Sequence, residues 1–161
     1  MLNFKQDFEK ALFAEGMRKM DERYDAARRM VWGYRGKNGY HSKLSDCAVH
    51  PISDTFTYAY LLLCRNEEGD VARAHDILYR VIPLQDINPT NRTYGIWQYF
   101  LEEDLEEMDE PDWNWADFNG KCMLNCLSEH GDKLTDDMKK RLEDSIRHAC
   151  EAIIRRNVGP A

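Results

Sequence analysis

From His50 onward the chain writes one unit twice, and this repeat constrains its fold more than any other feature. In the first copy Ser53 opens a helical stretch through Leu63, a turn follows at Glu68-Gly69-Asp70, and a second stretch runs to about Ile82. In the second copy Asp112 or Asn114 opens a stretch through Leu127, His130-Gly131-Asp132 makes the turn, and Thr135 caps a helix to about Arg156. Asp54 precedes Asp70 by 16 residues, and Asp117 precedes Asp132 by 15. Helix pairs at matching offsets, with no strand signal between them, predict an all-α fold of antiparallel hairpins with five or six helices.

The rest of the chain is read around that repeat as one domain, since 161 residues suffice for one core and not for two. Phe4, Phe8, Leu12, Met20, Tyr24, Ala27 and Val31 recur at helical spacing among charges, so residues 1–31 are expected to form one long helix. Residues 32–49 lose the period and gain Gly33, Gly36, Gly39 and turn-forming stretches at Lys37-Asn38-Gly39 and Ser45-Asp46, which predicts a loop. The first hairpin covers 50–83, an aromatic loop with a short helix near 96–107 covers 84–111, and the second hairpin covers 112–157. Within that hairpin, Trp115, Phe118, Cys122 and Cys126 form an apolar stripe, opposite Asn114, Asp117, Lys121, Asn125 and Ser128. Its second helix carries Met138, Leu142, Ile146, Ala149 and Ile153 on one side and reads as an outer helix.

A net charge of −7 argues against general affinity for nucleic acid or an anionic membrane, because both need clustered Lys and Arg. The local cluster Lys139, Lys140 and Arg141 is surrounded by acids and reads as a solvated face. Neither a secretory leader nor a bilayer-spanning apolar stretch is visible, so a cytoplasmic location is expected. Five cysteines, an odd number lying mostly in helical patterns, read as small buried hydrophobes in a reducing compartment. Cys122 and Cys126 lie one turn apart, yet zinc would need two further ligands, and neither a metal nor a cofactor is expected. The glycines at 33, 36 and 39 follow no strand and lead into no Gly-Lys-Ser/Thr turn, which argues against a phosphate loop.

Four stretches carry a family resemblance: Gly39-Tyr40-His41-Ser42, His50-Pro51-Ile52-Ser53-Asp54, residues 93–103, and Pro111-Asp112-Trp113-Asn114-Trp115-Ala116-Asp117. With a fifth at Arg155-Arg156-Asn157-Val158-Gly159-Pro160, they resemble a family of bacterial proteins whose fold is similar to the α/α toroid of six-hairpin glycoside hydrolases and polysaccharide lyases. The resemblance covers roughly residues 39–160 and departs from the family pattern at Asp104, where a proline is favoured. It implies that the hairpins form part of an (α/α) toroid, either an incomplete piece or a shortened open arc. The implied function is carbohydrate-active or saccharide-binding, with a glycoside hydrolase or a lyase as the enzymatic forms. A non-enzymatic helical scaffold or protein-interaction module is the alternative.

In such a toroid the loops opening the inner helices share one funnel, so both helix starts supply candidates. Asp112, Asp117, Glu102 and Glu103 could provide the two carboxyls of hydrolysis, and a lyase would want a base such as His41 or Tyr58. Tyr58, Tyr94, Trp97, Trp113 and Trp115 could stack on sugar rings, while His50, Asp54 and Asn114 bind hydroxyls. Each has a simpler structural role: Asp112 and Asn114 as helix caps, Asp117 as a first-turn acid at the helix dipole, Trp115 as core, and His50 as a turn residue. A saccharide ligand is therefore the expected partner. Self-association, or packing of an additional chain, is expected at the C-terminal helix, where Cys150 and Ile154 lie beside the apolar stripe.

Overall fold

The computed structural model describes residues 6–37 and 41–156. Among them are five α-helices: α1 (Asp7–Glu22), α2 (Ile52–Arg65), α3 (Asp70–Val81), α4 (Asn114–His130) and α5 (Asp136–Arg156). Four short strands make two antiparallel ribbons, β1 (Tyr24–Asp25) with β2 (Met30–Val31) and β3 (Gly33–Arg35) with β4 (Cys47–Val49). The fold is mostly helical rather than wholly so. The expected 1–31 helix ends at Glu22, and the expected 32–49 loop contributes β3 and β4. Phe4, the Lys37-Asn38-Gly39 turn, Gly39-Tyr40 and residues 157–160 involve positions outside the described residues.

The first departure has a local cause. Tyr24 and Val31 are seven residues apart, which fits two helical turns, but the same spacing makes them a cross-strand pair in the β1–β2 hairpin. Asp25 tips the balance by accepting the backbone N–H groups of Ala27 and Arg28 at 2.8 and 3.1 Å, and Arg29 takes a left-handed φ of 56°. Met30 and Val31 are then delivered, fully buried, to the core.

The two repeats do form hairpins, α2 with α3 and α4 with α5. Asn66, left-handed at φ 57°, ends α2, and Gly69 at φ 85° admits α3. Ser53 does not cap α2: Pro51 occupies that position, and Ser53 Oγ donates instead to Asn119 Oδ1 of α4 at 2.9 Å. Thr135 does cap α5, its hydroxyl accepting the Met138 N–H at 3.2 Å.

α2 and α4 lie side by side and parallel. Three contacts step along them together: Ser53 with Asn119, Tyr60 with Glu129, and Cys64 with His130. Phe56, Ala59, Leu62 and Leu63 of α2 meet Ile77, Leu78 and Val81 of α3, Met123 and Cys126 of α4, and Met138 and Leu142 of α5 in one core. On α4 the buried face takes in Ala116, Asn119 and Met123 with Trp115, whereas Phe118, expected inside, is 49% exposed.

Residues 84–111 hold no α-helix. The segment around Tyr99 runs extended beside the entry to α2, where the Ile52 N–H donates to Tyr99 O and the Leu101 N–H to His50 O. Backbone groups used in that pairing are not free for helical hydrogen bonds. Ile96 and Trp97 are thereby driven fully into the core. Among the described residues no helix is long and apolar enough to cross a membrane.

Candidate functional site

The helix entries to α2 and α4 lie at the same end of the molecule, and the ribbons and the 99–112 segment pack over them. An open cleft of about 320 Å³ lies there, lined by Arg23, Tyr34, Arg35, Asp54, Tyr99 and Phe100 among others. Arg23 follows α1 directly, with Nε donating to Trp32 O at 2.5 Å and Nη2 reaching Asp54 Oδ2 at 3.2 Å. Asp54 sits in the first turn of α2, where the helix dipole favours a carboxylate. The Arg35 guanidinium stands 5.1 Å from the Phe100 ring centre and 5.8 Å from that of Tyr99. Tyr34 projects from β3, 67% exposed, and donates its hydroxyl to Asp46 Oδ1 at 2.5 Å.

Behind the cleft, Tyr99 packs 4.7 Å from Trp115, which meets His41 edge-on at 5.9 Å. His41 Nδ1 is 2.7 Å from Glu110 O, and its Nε2 is 3.7 Å from Asp112 Oδ2. The fold therefore brings His41 and Asp112 together, although they are 71 residues apart in sequence. Asp112 also accepts the Asn114 N–H at 2.9 Å, but neither residue is the expected helix cap: Trp113 holds that position without a side-chain cap bond, and Asn114 is the first residue of α4. Glu103 is buried with Oε1 accepting the Lys43 N–H at 2.7 Å.

His50 is held between two carboxylates, with Nδ1 2.5 Å from Glu102 Oε1 and Nε2 3.3 Å from Asp25 Oδ2. Hydrogen bonding from the Arg28 N–H is the main influence holding the Asp25 carboxyl below its usual range, and His50 adds to it. This cluster ties the β1–β2 ribbon to the 99–103 segment beside the cleft.

Several sequence candidates are placed elsewhere. Trp97 is fully buried, donating Nε1–H to Val81 O at 3.1 Å and meeting Phe56 edge-on, so it offers no face to a sugar. Tyr58 is likewise buried; its hydroxyl donates to Asp21 Oδ1 at 2.5 Å and accepts from Arg73 Nη1 at 2.9 Å. Burial first, and the Asp21 bond second, push its pKa up to about 12, which removes it as a base at neutral pH. Tyr94 is buried against α5, hydrogen bonded to His148 Nδ1 and Glu151 Oε2 at 2.7 and 2.6 Å. The Trp113 ring is covered by the guanidinium of Arg156 at 3.8 Å, with that of Arg92 at 5.3 Å. Asp117 lines a separate groove between α4 and α5. Thus Asp54 alone of the sequence candidates lines the cleft, joined by Arg23, Tyr34, Arg35 and Tyr99. Tyr34 and Arg35 lie on a ribbon, Tyr99 on the extended segment and Arg23 just past the end of α1, so the helical period carries no signal for them.

Of the five cysteines, expected to be small buried residues, only Cys64 and Cys126 are buried; Cys47 and Cys122 are partly buried and Cys150 is exposed. All five are free, and hydrogen bonding with Cys122 together with burial pushes the Cys126 thiol up. Cys64 Sγ lies 3.3 Å from His130 Nε2; burial raises the thiol, and burial with the Lys133 charge lowers the imidazole, so both shifts disfavour a thiolate–imidazolium pair. Among the described residues no three His, Cys, Asp or Glu side chains are grouped to hold a metal ion.

Residues 10–160 match the sequence profile of a domain of unknown function (DUF8769), and the chain belongs to that family. No curated protein and no solved structure matches it.

Proposed function

We propose that this member of the family is a saccharide-binding arc of an α/α-hairpin toroid, with its ligand in the cleft at the entry to α2. The carrying observation is the cleft itself: exposed Tyr34 and half-buried Tyr99 offer aromatic surface beside the polar pair Arg23–Asp54, the combination that sugar rings and hydroxyls favour. The parallel pairing of α2 with α4, each followed by an antiparallel partner, supports the toroid reading, as does the position of the cleft at the shared end of those two helices. Binding is favoured over cleavage. Glycoside hydrolysis needs two carboxyls across the scissile bond, and Asp54 is the carboxylate lining the cleft, already paired with Arg23.

Calorimetry against a panel of neutral and acidic oligosaccharides tests this reading. At least one should bind, and Tyr34→Ala and Asp54→Asn should each weaken it roughly tenfold, the equivalent of about 1.4 kcal/mol, with unchanged helicity. A panel without a binder, or binding that ignores both substitutions, overturns it.

A second reading, an interaction module, rests on a different surface. The groove between α4 and α5 is floored by small residues, Ala116, Gly120 and Ala149, and walled by Leu124, Ile146 and Ile153. Leu124 is 53% exposed. On the same chain, α1 carries Phe8 and Leu12 one turn apart and exposed, beside the acids Asp7 and Glu9, while Lys121 flanks the groove. The occupant this arrangement fits is α1 of a second copy.

A further inference from the structure

We infer a second, anion-binding site where the loop of residues 86–96 meets the end of α5, formed by Arg155 and Arg156 with Arg92 at its edge and suited to a phosphate or carboxylate group. Arg155 and Arg156 line a cleft of about 290 Å³ there with Pro89, Asn91, Tyr94 and Ala152, and none of these six is acidic. It shares no lining residue with the Arg23–Tyr99 cleft.

Arg92 lines a neighbouring cleft that shares Asn91 with this one and also holds Glu106 and Asp109, and a common indole links it to Arg156. Arg156 and Arg92 both stand over the Trp113 ring, at 3.8 and 5.3 Å, and Arg155 stands 4.5 Å from the Tyr94 ring centre. The helix dipole explains basic residues at the end of α5, but not the approach of Arg92 from a loop. Their positions are fixed by backbone: Arg156 Nη2 donates to Arg92 O, Arg155 Nη1 donates to Pro89 O at 3.1 Å, and Trp113 Nε1 donates to Arg92 O at 3.3 Å.

The loop they grip is itself rigidly built. The Asp86 carboxylate accepts from the Asn88 N–H, Asn91 Nδ2 and the Thr93 hydroxyl, the last at 2.6 Å. Gly95 lies so close to α5 that an added Cβ would sit 2.4 Å from that of Ala152. Guanidinium groups on such a frame lose little freedom when they fork onto an anion.

The charges are left unbalanced. Among the described residues no carboxylate lies within ion-pair distance of Arg92 or Arg156. Arg155 has Glu151 at 3.8 Å, but that carboxylate also takes the Tyr94 hydroxyl and faces Arg147 at 3.7 Å. Partial desolvation, and then the Arg92 charge, lower the Arg156 pKa from its ordinary value, although the residue remains exposed. In a chain of net charge −7 this excess is local, and an oxyanion accepting paired N–H donors would offset it.

The experiment titrates the full chain with inorganic phosphate and, separately, with acetate at constant ionic strength, reading heat and the Trp113 indole N–H resonance. Saturable binding is expected, weakened roughly tenfold or more, equivalent to about 1.4 kcal/mol, by Arg92→Gln and by Arg156→Gln, and not by Arg80→Gln on α3. Among the described residues the Arg92 side chain donates no hydrogen bond, so Arg92→Gln tests the site even where Arg156→Gln unfolds the protein. Phosphate binding tighter than acetate assigns a phosphate-bearing ligand, and the reverse a carboxylate-bearing one. Absence of saturable binding by both, or equal weakening by Arg80→Gln, overturns the inference.

Discussion

Among individual residues Asp21 joins three helices. From the end of α1 it accepts hydrogen bonds from Tyr58 of α2 at 2.5 Å, Arg65 of α2 at 2.6 Å and Arg73 of α3 at 3.2 Å, and Arg65 continues as a fork onto Asp70 at 2.8 Å. Burial would push the Asp21 carboxyl up, but the Arg65 and Tyr58 hydrogen bonds and the two arginine charges outweigh it and hold the pKa below 3.8. A carboxyl depressed on folding stabilises the folded state above its unfolded pKa, and that contribution is lost as pH falls through the folded value. Asp21→Asn should therefore cost about 1.5 to 3 kcal/mol at pH 7, the range for hydrogen bonds to a charged group. The gap between the urea midpoints of the two proteins should begin to narrow below about pH 4, where the unfolded carboxyl protonates, and close only as pH falls through the lower folded value. A gap that stays constant down to pH 2 would show that the charge is not what matters.

Among the elements, the 86–96 loop is placed against α5 through a single small residue. Gly95 has φ 85° and sits against α5, where a Cβ would come within 2.6 Å of His148 O. Gly95→Ala combines a left-handed backbone penalty with overpacking against main chain, and should cost about 3 kcal/mol. Gly120→Ala is the matched control: it lies inside α4, its new Cβ meets Ala149 at an ordinary 3.7 Å, and helix propensity should make it neutral or stabilising. Unfolding midpoints of the two variants give the comparison, and equal effects would refute the close-packing account. Gly95 could not be singled out from sequence, because its constraint comes from a helix more than fifty residues further along the chain.

For the whole molecule the open question is assembly. If α1 of one copy fills the α4–α5 groove of another, light scattering should show a species larger than the monomer. Leu12→Glu and Leu124→Glu should each return it to monomer, the first by spoiling the inserted helix and the second by spoiling the groove. An equimolar mixture of the two variants should regain a dimer, since each supplies the surface that the other lacks. A wild-type monomer that persists at high concentration, or a mixture that stays monomeric, would rule out this arrangement.

The sequence by itself determined the two hairpins, the capping of α5 by Thr135, the turn at Gly69 and the solvated face at Lys139 to Arg141, which pairs with neighbouring acids. These are local matters: a period of 3.6, a cap and a turn are each decided within a few residues. Tertiary structure alone decided that Tyr24 and Val31 pair across a hairpin, that Trp97 and Tyr58 go inward while Tyr34 stays out, and that His41 meets Asp112. It also placed Arg23, Arg35 and Asp54 around one cleft and Arg92 beside Arg156 over one indole. An aromatic side chain or an arginine looks the same in sequence whether it faces core, solvent or ligand. Which of these it meets is set by long-range packing, through backbone pairings such as that of Tyr99 with Ile52 that leave no periodic trace.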